Sequence, residues 1–487
     1  MLTLTVPDRA EKRFSNGSAQ PKQGIRTHKA LVFIILLALA IRLAFFMSAQ
    51  PWDDDSLNYI LREGDPSQYH QQALSFANHG FSLLFSDEDP AYGGRTPGYA
   101  LFLTAIYFPF GERVWLALLA QLFLNVGTVG VVYFLAKELF TTKRVATLAA
   151  LLYSLSFISA RWAATEIFTE TLFAFVLALA ALALVRALKK NALRWYSLAG
   201  LLVGFGALIR PVLEYGALIV ILVILLRQNS LRLKFLSVVA FAAVFMLTLS
   251  PWQVRHYVLY DHYKLSLSGA NHVVGEAIVF KKRRENISEI EAGKSILQLE
   301  EGLENPFDIG AIQQRRALRY IFEHPFGYAR QHFKGVFAMA IGTEKGVILY
   351  KLLHLQKPYS GIDSLEETFV ERVRRVIRDL PEEYYLTPIT GTKLLLEYAF
   401  FAIGLAIMIA RGMKLYALFF VLMILYIMFV PGAIGYNLRY KVPVIPLYIA
   451  VAGAGLDAAW RWGASKGWLR LKPKGGVDRD GAVQISV

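Results

Sequence analysis

The stretch Ala163–Arg194, AATEIFTETLFAFVLALAALALVRALKKNALR, decides the class of this chain. Residues 163–186 are mostly apolar, with Glu166 and Glu170 near one end and no charge between Glu170 and Arg186. Roughly 20 apolar residues in a row suffice for a helix to cross a bilayer. The run ends in Arg186, Lys189, Lys190 and Arg194, and cations clustered in a short loop mark the cytoplasmic side of a span. A membrane helix with a direction is therefore readable from this stretch alone.

Working outward, the same pattern recurs as about ten spans. They lie near residues 30–48, 113–136, 145–161, 163–186, 195–210, 212–226, 234–250, 394–410, 415–431 and 442–458. The stretch 99–110 is apolar but too short to cross, and reads as an interfacial or re-entrant helix. Of the 487 residues, 55% are hydrophobic and 18% charged, against about 25% charged in a soluble domain. The predicted fold class is an all-α polytopic membrane protein with two extracytoplasmic segments.

Orientation follows from the remaining short loops. Lys143 and Arg144, Arg227 to Lys234, Arg411 and Lys414, and the basic tail from Arg461 onward all fall inside if the N-terminus is cytoplasmic. The expected organisation is a basic cytoplasmic tail (1–29), a transmembrane core (30–250) with its first outer loop at 49–98, an extracytoplasmic domain (251–393), C-terminal spans (394–458) and a basic cytoplasmic tail (459–487). The first span reads as an uncleaved signal anchor, being too long for a signal-peptide core and lacking a small-residue cleavage site. The net charge of +15 is thereby largely accounted for by topology and does not point to nucleic acid. With no cysteine in the chain, disulfides, thiolate metal sites and a cysteine nucleophile are excluded.

The ionisable residues near the spans are unevenly placed. Asp65, Glu166, Glu170, Arg210, Glu214, Arg255, Arg439 and Tyr440 all come near the outer end of a predicted span or in an outer loop, and Arg42 lies a similar distance inside the first span. On a continuous helix Glu166 stands one turn above Glu170 on one face. Charges at such depth cost several kcal/mol unless they pair or face water. Structural ion pairs between helices account for any one of them; an outward-opening cavity accounts for the set.

The first outer segment reads Gly64-Asp65-Pro66-Ser67-Gln68-Tyr69-His70-Gln71-Gln72-Ala73, followed by Arg95-Thr96-Pro97-Gly98-Tyr99. Further along stand Thr169-Glu170-Thr171-Leu172-Phe173, Leu208-Ile209-Arg210-Pro211, Ser250-Pro251-Trp252-Gln253-Val254-Arg255 and Asn437-Leu438-Arg439-Tyr440-Lys441-Val442-Pro443. In this order and on one side, the set resembles the GT-C membrane glycosyltransferases, among them the protein O-mannosyltransferases and lipid A aminoarabinose transferases. It departs from them in the acid triplet Asp53-Asp54-Asp55 and in His256, where an asparagine is common. The resemblance implies a polyprenyl-phosphate sugar donor, a glycan, lipid or protein acceptor, a bacterial inner-membrane location, and an acidic base in the first outer loop, a position that Asp65 matches.

That implication fits the charges. An ionised Asp65 accepts a proton from an acceptor hydroxyl, and a departing lipid phosphate needs cations, for which Arg210, Arg255 and Arg439 are the candidates. Arg42, Tyr69, Arg95, Glu166, Glu170, Trp252 and Tyr440 are expected around the cavity. No cofactor is indicated; a divalent metal would have to use Asp53, Asp54 and Asp55 or the acids Asp87 to Asp89. Two alternatives stand beside the enzyme. A flippase or transporter of polyprenyl-linked glycans predicts charges at the midplane and often paired interrupted helices, which the sequence does not display; an inactive scaffold is the other.

Overall fold

The computed structural model describes residues 23–80, 94–298, 302–343, 381–434 and 437–466. Every regular element among them is helical. The described part begins with α1 (Gln23–Ala49) and crosses the first long polar segment as α2 (Asp54–Ile60), α3 (Asp65–His79) and α4 (Gly98–Phe110). It continues through α5 (Val114–Phe140), α6 (Lys143–Ser154), α7 (Phe157–Thr165), α8 (Glu170–Lys190), α9 (Leu193–Ile209), α10 (Val212–Leu226) and α11 (Leu231–Tyr260). The second long polar segment supplies α12 (Ser268–Glu285), α13 (Glu289–Leu297), α14 (Pro306–Glu323) and α15 (Pro325–Ile341). Then come α16 (Pro381–Ala410), α17 (Lys414–Phe429), a 3-10 helix (Leu438–Val444) and α18 (Ile445–Ser465).

All ten predicted apolar segments fall on helices. Among the described residues, 6 helices are long and apolar enough to cross a membrane, and α6 with α7, bent by 55°, forms a seventh span if the pair counts as one. The other three, α9, α10 and α17, are 17, 15 and 16 residues long. At 1.5 Å per residue they fall short of a hydrocarbon layer about 30 Å thick. The chain is an all-α, multi-pass membrane protein.

Three boundaries differ from expectation. The boundary expected between 161 and 163 lies inside α7, and the break falls within the predicted span 163–186: α7 ends at Thr165, Glu166 is extended, and α8 begins only at Glu170. Ile167 and Phe168 keep hydropathy high across this break, which hides it from an apolar-run count. Helix α11 runs past the expected boundary at 250 to Tyr260, because its Pro251 is accommodated within the helix. Helix α16 begins at Pro381, well before the expected start at 394.

Helix α8 is apolar on all sides and buried on all sides, as a central helix must be. It packs against α5 and α9, while α18 packs against α6 and α16. The pair α9 and α11 touches through Gly200 and Gly204, where a Cβ would collide with the backbone of Phe241 and the side chain of Thr248. This is the small-xxx-small contact by which membrane helices bring their backbones together. Large apolar side chains on the outer faces of α1, α10 and α11 are exposed, among them Phe33, Leu218 and Phe235, as a lipid-facing surface requires.

Arg42 is a correction. It was expected near the cavity, but it is fully buried. Its Nε donates to Asn125 Oδ1 at 3.0 Å, its Nη2 to Tyr153 O at 3.2 Å, and its Nη1 to Ser154 O. Those carbonyls end α6, where intrahelical donors run out. The guanidinium caps the bend between α6 and α7.

At the other end of the bundle the basic loops are tied down. Arg186 pairs with Glu138 at 2.9 Å, and Asp457 is shared by Arg144 at 2.7 Å and Arg461 at 2.9 Å. In the second long polar segment Val274, Ala277, Ile296, Ala317 and Ile321 form a small separate core under α12, α13, α14 and α15.

Candidate functional site

The site begins with a turn. Gly64 has φ +105°, a conformation other residues rarely adopt, and it delivers the chain into α3 with Asp65 and Pro66 at its first positions. From there Tyr69, Ala73 and Phe76 are buried along one face, which leaves Asp65 at the open end, as the four-residue spacing predicts.

Asp65 is clasped from two sides. Arg95 Nη2 donates to Oδ1, and Arg439 Nη2 donates to Oδ2 at 3.0 Å. Arg95 is set by Gln68, whose Oε1 accepts from Nε at 2.9 Å, and by the Tyr69 ring, 5.2 Å from its guanidinium carbon. Burial raises the Asp65 pKa, but the two guanidinium groups outweigh it and hold the carboxyl below its ordinary 3.8.

The rest of the Arg95–Tyr99 motif is structural. A Cβ on Gly98 would stand 2.7 Å from the carbonyl of Leu208, so only glycine lets α4 start against the end of α9. Tyr99 reaches inward and donates to Gln121 Oε1 at 2.6 Å, while Gln121 Nε2 donates to Glu166 O at 3.0 Å. The loop that holds Arg95 is thus pinned to the break between α7 and α8.

Glu170 occupies the first turn of α8, where the helix dipole favours an anion. Arg210, just past α9, donates through Nη1 to Glu170 Oε1 at 2.9 Å, and Arg439 Nε lies 3.7 Å from the same oxygen. Glu170 Oε2 is buried without a hydrogen-bond partner. Tyr440 lies under both cations: its hydroxyl accepts from Arg439 at 3.1 Å, and its ring centroid is 5.6 Å from the Arg210 guanidinium carbon. Asp65, Arg95, Glu170, Arg210, Arg439 and Tyr440 therefore form one network, with three guanidinium groups against two carboxylates. The Asp65, Arg210 and Arg439 side chains remain 26%, 20% and 16% exposed.

Residues 94–254 match the family described as dolichyl-phosphate-mannose-protein mannosyltransferase. The fold matches that of the oligosaccharyltransferase of Archaeoglobus fulgidus, solved with a tethered acceptor peptide, at TM-score 0.51 and 14% identity. The chain shares its fold with that protein. The likeness covers 92% of this chain and 51% of the archaeal one, so the chain spans about half that protein's length. Weaker likenesses are AglB from the same archaeon with an inhibitory peptide and a dolichol-phosphate, and ArnT from Cupriavidus metallidurans in the apo state. Their TM-scores are 0.47 and 0.37, both at 14% identity, covering 93% and 92% of this chain and 53% and 82% of theirs. No curated protein matches the sequence. The family match includes Arg95, Glu170 and Arg210, and it stops short of Asp65, Arg255 and Arg439.

Several expected residues lie elsewhere. Glu166 does not stack on Glu170, because the helix is broken between them. It is fully buried and pairs instead with Arg62 Nη1 at 2.8 Å and Arg161 Nη2 at 2.5 Å. Sequence reasoning missed both arginines, although Arg161 was visible as a cation at the end of a predicted span. The two clusters adjoin through the Phe168 ring, 5.7 Å from the Arg62 guanidinium carbon and 4.7 Å from that of Arg439. Arg255 is buried over the Trp252 ring at 4.6 Å, and Trp252 in turn meets Phe76 of α3. His256 accounts for its own departure from the family pattern: its Nδ1 bonds Lys264 O at 2.7 Å and holds the turn after α11.

The acid triplet is a helix start. Asp53 caps α2 by accepting from Ser56 N at 3.1 Å, and Asp54 and Asp55 fill its first turn, where acids are favoured. Among the described residues no three His, Asp or Glu side chains converge on a metal-sized site. The acids Asp87, Glu88 and Asp89 lie outside the described residues.

Proposed function

We propose that the chain transfers a sugar from a polyprenyl-phosphate donor to an acceptor hydroxyl on the outer face of a bacterial inner membrane. Asp65 is the base, and Arg210 and Arg439 hold the donor phosphate. The observation that carries this reading is the Asp65–Arg95–Arg439–Glu170–Arg210 network, partly open and with one positive charge in excess. A phosphodiester brings the missing negative charge, and its oxygens match the guanidinium fork. Arg255 is the least suited of the three arginines because it is only 1% exposed.

The chemistry follows from the clasp. With two arginines on it, Asp65 is ionised but a weak base. A donor phosphate competes for Arg439, loosens one half of the clasp and returns the carboxylate toward ordinary basicity. The acceptor oxygen then attacks the anomeric carbon as the bond to the phosphate oxygen breaks. The electron pair leaves on the lipid phosphate, where arginines stabilise it, and the hydroxyl proton passes to Asp65.

An apolar groove of about 640 Å³ lies among α10, α15, α16 and α17, lined by Ile219, Phe333, Phe401, Leu425 and Tyr426 among others. The Tyr426 hydroxyl donates to Val212 O at 2.6 Å, so the groove wall is fastened two residues from Arg210. An isoprenoid tail suits it, with the phosphate at the arginine end. The matched family's description names a dolichyl-phosphate sugar, which favours the same donor class.

The test is transfer from a synthetic polyprenyl-phosphate sugar by purified protein. Asp65→Asn keeps size and hydrogen bonding while removing the accepting charge, and should lower turnover by about two to four orders of magnitude. Turnover within threefold of wild type would remove Asp65 from the mechanism.

A further inference from the structure

Eight of the nine histidines fall in predicted outer segments, and the candidate site uses none of them. Two belong to a cluster that joins the second outer segment to the end of α17. Glu276 is buried on α12. The Tyr328 hydroxyl donates to its Oε2, and His332 Nδ1 lies 3.5 Å from that oxygen and 3.2 Å from the Tyr328 hydroxyl. His272 Nε2 lies 3.5 Å from Glu276 Oε1.

Both imidazoles also reach across to the backbone. His272 Nε2 donates to Val430 O at 2.8 Å, and His332 Nε2 donates to Phe429 O at 2.9 Å. These carbonyls close α17, where the helix has no further amide to offer. Gly432 follows, and a Cβ there would strike the His332 ring. The far end of α15 grips the chain again: Lys441 Nζ donates to Gly342 O at 2.8 Å, and a Cβ on Gly342 would strike Leu438. Helix α15 thus holds the chain on both sides of Arg439 and Tyr440.

We propose that Glu276 is a positioning residue: by orienting His272, His332 and Tyr328 it fixes the end of α17, and so holds Arg439 against Asp65 and Glu170. The consequence for turnover rests on the glycosyl-transfer reading; the hold itself does not. The groups facing His272 are Glu276 on its own helix and Arg210 from the end of α9, while His332 and Tyr328 on α15 face the same Glu276 carboxylate. Burial opposes a charge on His272, but the Glu276 carboxylate and the Val430 carbonyl raise its pKa above 6.5, with Arg210 acting the other way. Burial likewise opposes ionisation of Glu276, yet its three partners bring its pKa down to about 2. A raised histidine pKa means the charged contact is complete below pH 6.5 and is lost as pH rises through the raised value. Acid does not weaken the Glu276 side until far lower pH.

Hydrogen exchange on the full chain in lipid nanodiscs tests the hold without any substrate. In Glu276→Gln, the amides of Val430 to Ile434 and of Asn437 to Val442 should exchange roughly tenfold faster, while α8 and α18 keep wild-type protection. In wild type the same amides should keep protection below pH 6.5 and lose it as pH rises above that value, after correction for intrinsic rates, and the variant should lose this dependence. Tyr328→Phe, a milder change, should shift exchange in the same direction and decides the matter if Glu276→Gln does not fold. Unchanged exchange in that segment, or loss of protection spread evenly through α12 to α15, overturns the proposal. If transfer is measurable, Glu276→Gln should lower turnover more than donor affinity, and Glu276→Asp should restore part of it. If wild type shows no transfer, the exchange result still decides the hold, and only the function proposed above fails.

Discussion

Asp65 divides its two oxygens between arginines 30 and 374 positions away in the chain. Each guanidinium has a second attachment, Arg95 to Gln68 and Arg439 to Tyr440, so the carboxylate is held by partners already fixed. The depressed Asp65 pKa has a definite sign. Its stabilising contribution is complete above 3.8 and is lost only as pH falls through the lower folded value. The profile of kcat/KM, which reports the free enzyme, should therefore show no acidic limb from Asp65 between about pH 5 and 7. A limb there that disappears in Asp65→Asn would contradict the clasp. For the phosphate, alanine at Arg210 or Arg439 should weaken donor use at least about tenfold, the usual loss for a charge-assisted contact. Normal donor kinetics in both variants would put the phosphate site elsewhere.

At the level of elements, the site depends on where helices stop. Glu170 and Arg210 meet because α8 begins and α9 ends at the same end of the bundle. Gly98 lets α4 lie against that junction, with backbone as the obstacle to any side chain there. Gly98→Val should force α4 away from Leu208, cost about 1–3 kcal/mol of stability and separate Arg95 from the Glu170 pair. Thermal unfolding in detergent would register the loss, and an unshifted midpoint would show that the contact is slack. Arg42 makes the same point inside the membrane. A charge that resembled a cavity residue is spent on the carbonyls at the end of α6.

For the molecule as a whole, the two ends have different charge chemistry. One end gathers short basic loops with few acids, and the other gathers the Asp65 network and the Glu276 cluster. If the basic end is cytoplasmic, a reporter active only outside the membrane should be silent when fused after Lys466, and active when inserted between α13 and α14. The reverse result would invert the topology and with it the proposed face of reaction.

Hydropathy alone located the apolar segments, though not the breaks within them, because crossing a bilayer demands a run of apolar side chains whatever the neighbours are. The Asp65–Tyr69–Ala73 face was legible for a similar reason: a four-residue spacing sets one side of a helix before any packing occurs. Which cation meets which acid was not legible. Glu166 and Glu170, four residues apart, take separate arginines because the helix breaks between them, and the apolar Ile167 and Phe168 conceal the break. Asp53 to Asp55 had the composition of a metal site and the position of a helix cap. Arg439 joined Asp65 across nearly the whole chain only when α18 was packed in the centre of the bundle. Local pattern sets the helices, whereas pairing among buried charges depends on distances that exist only after the helices have packed.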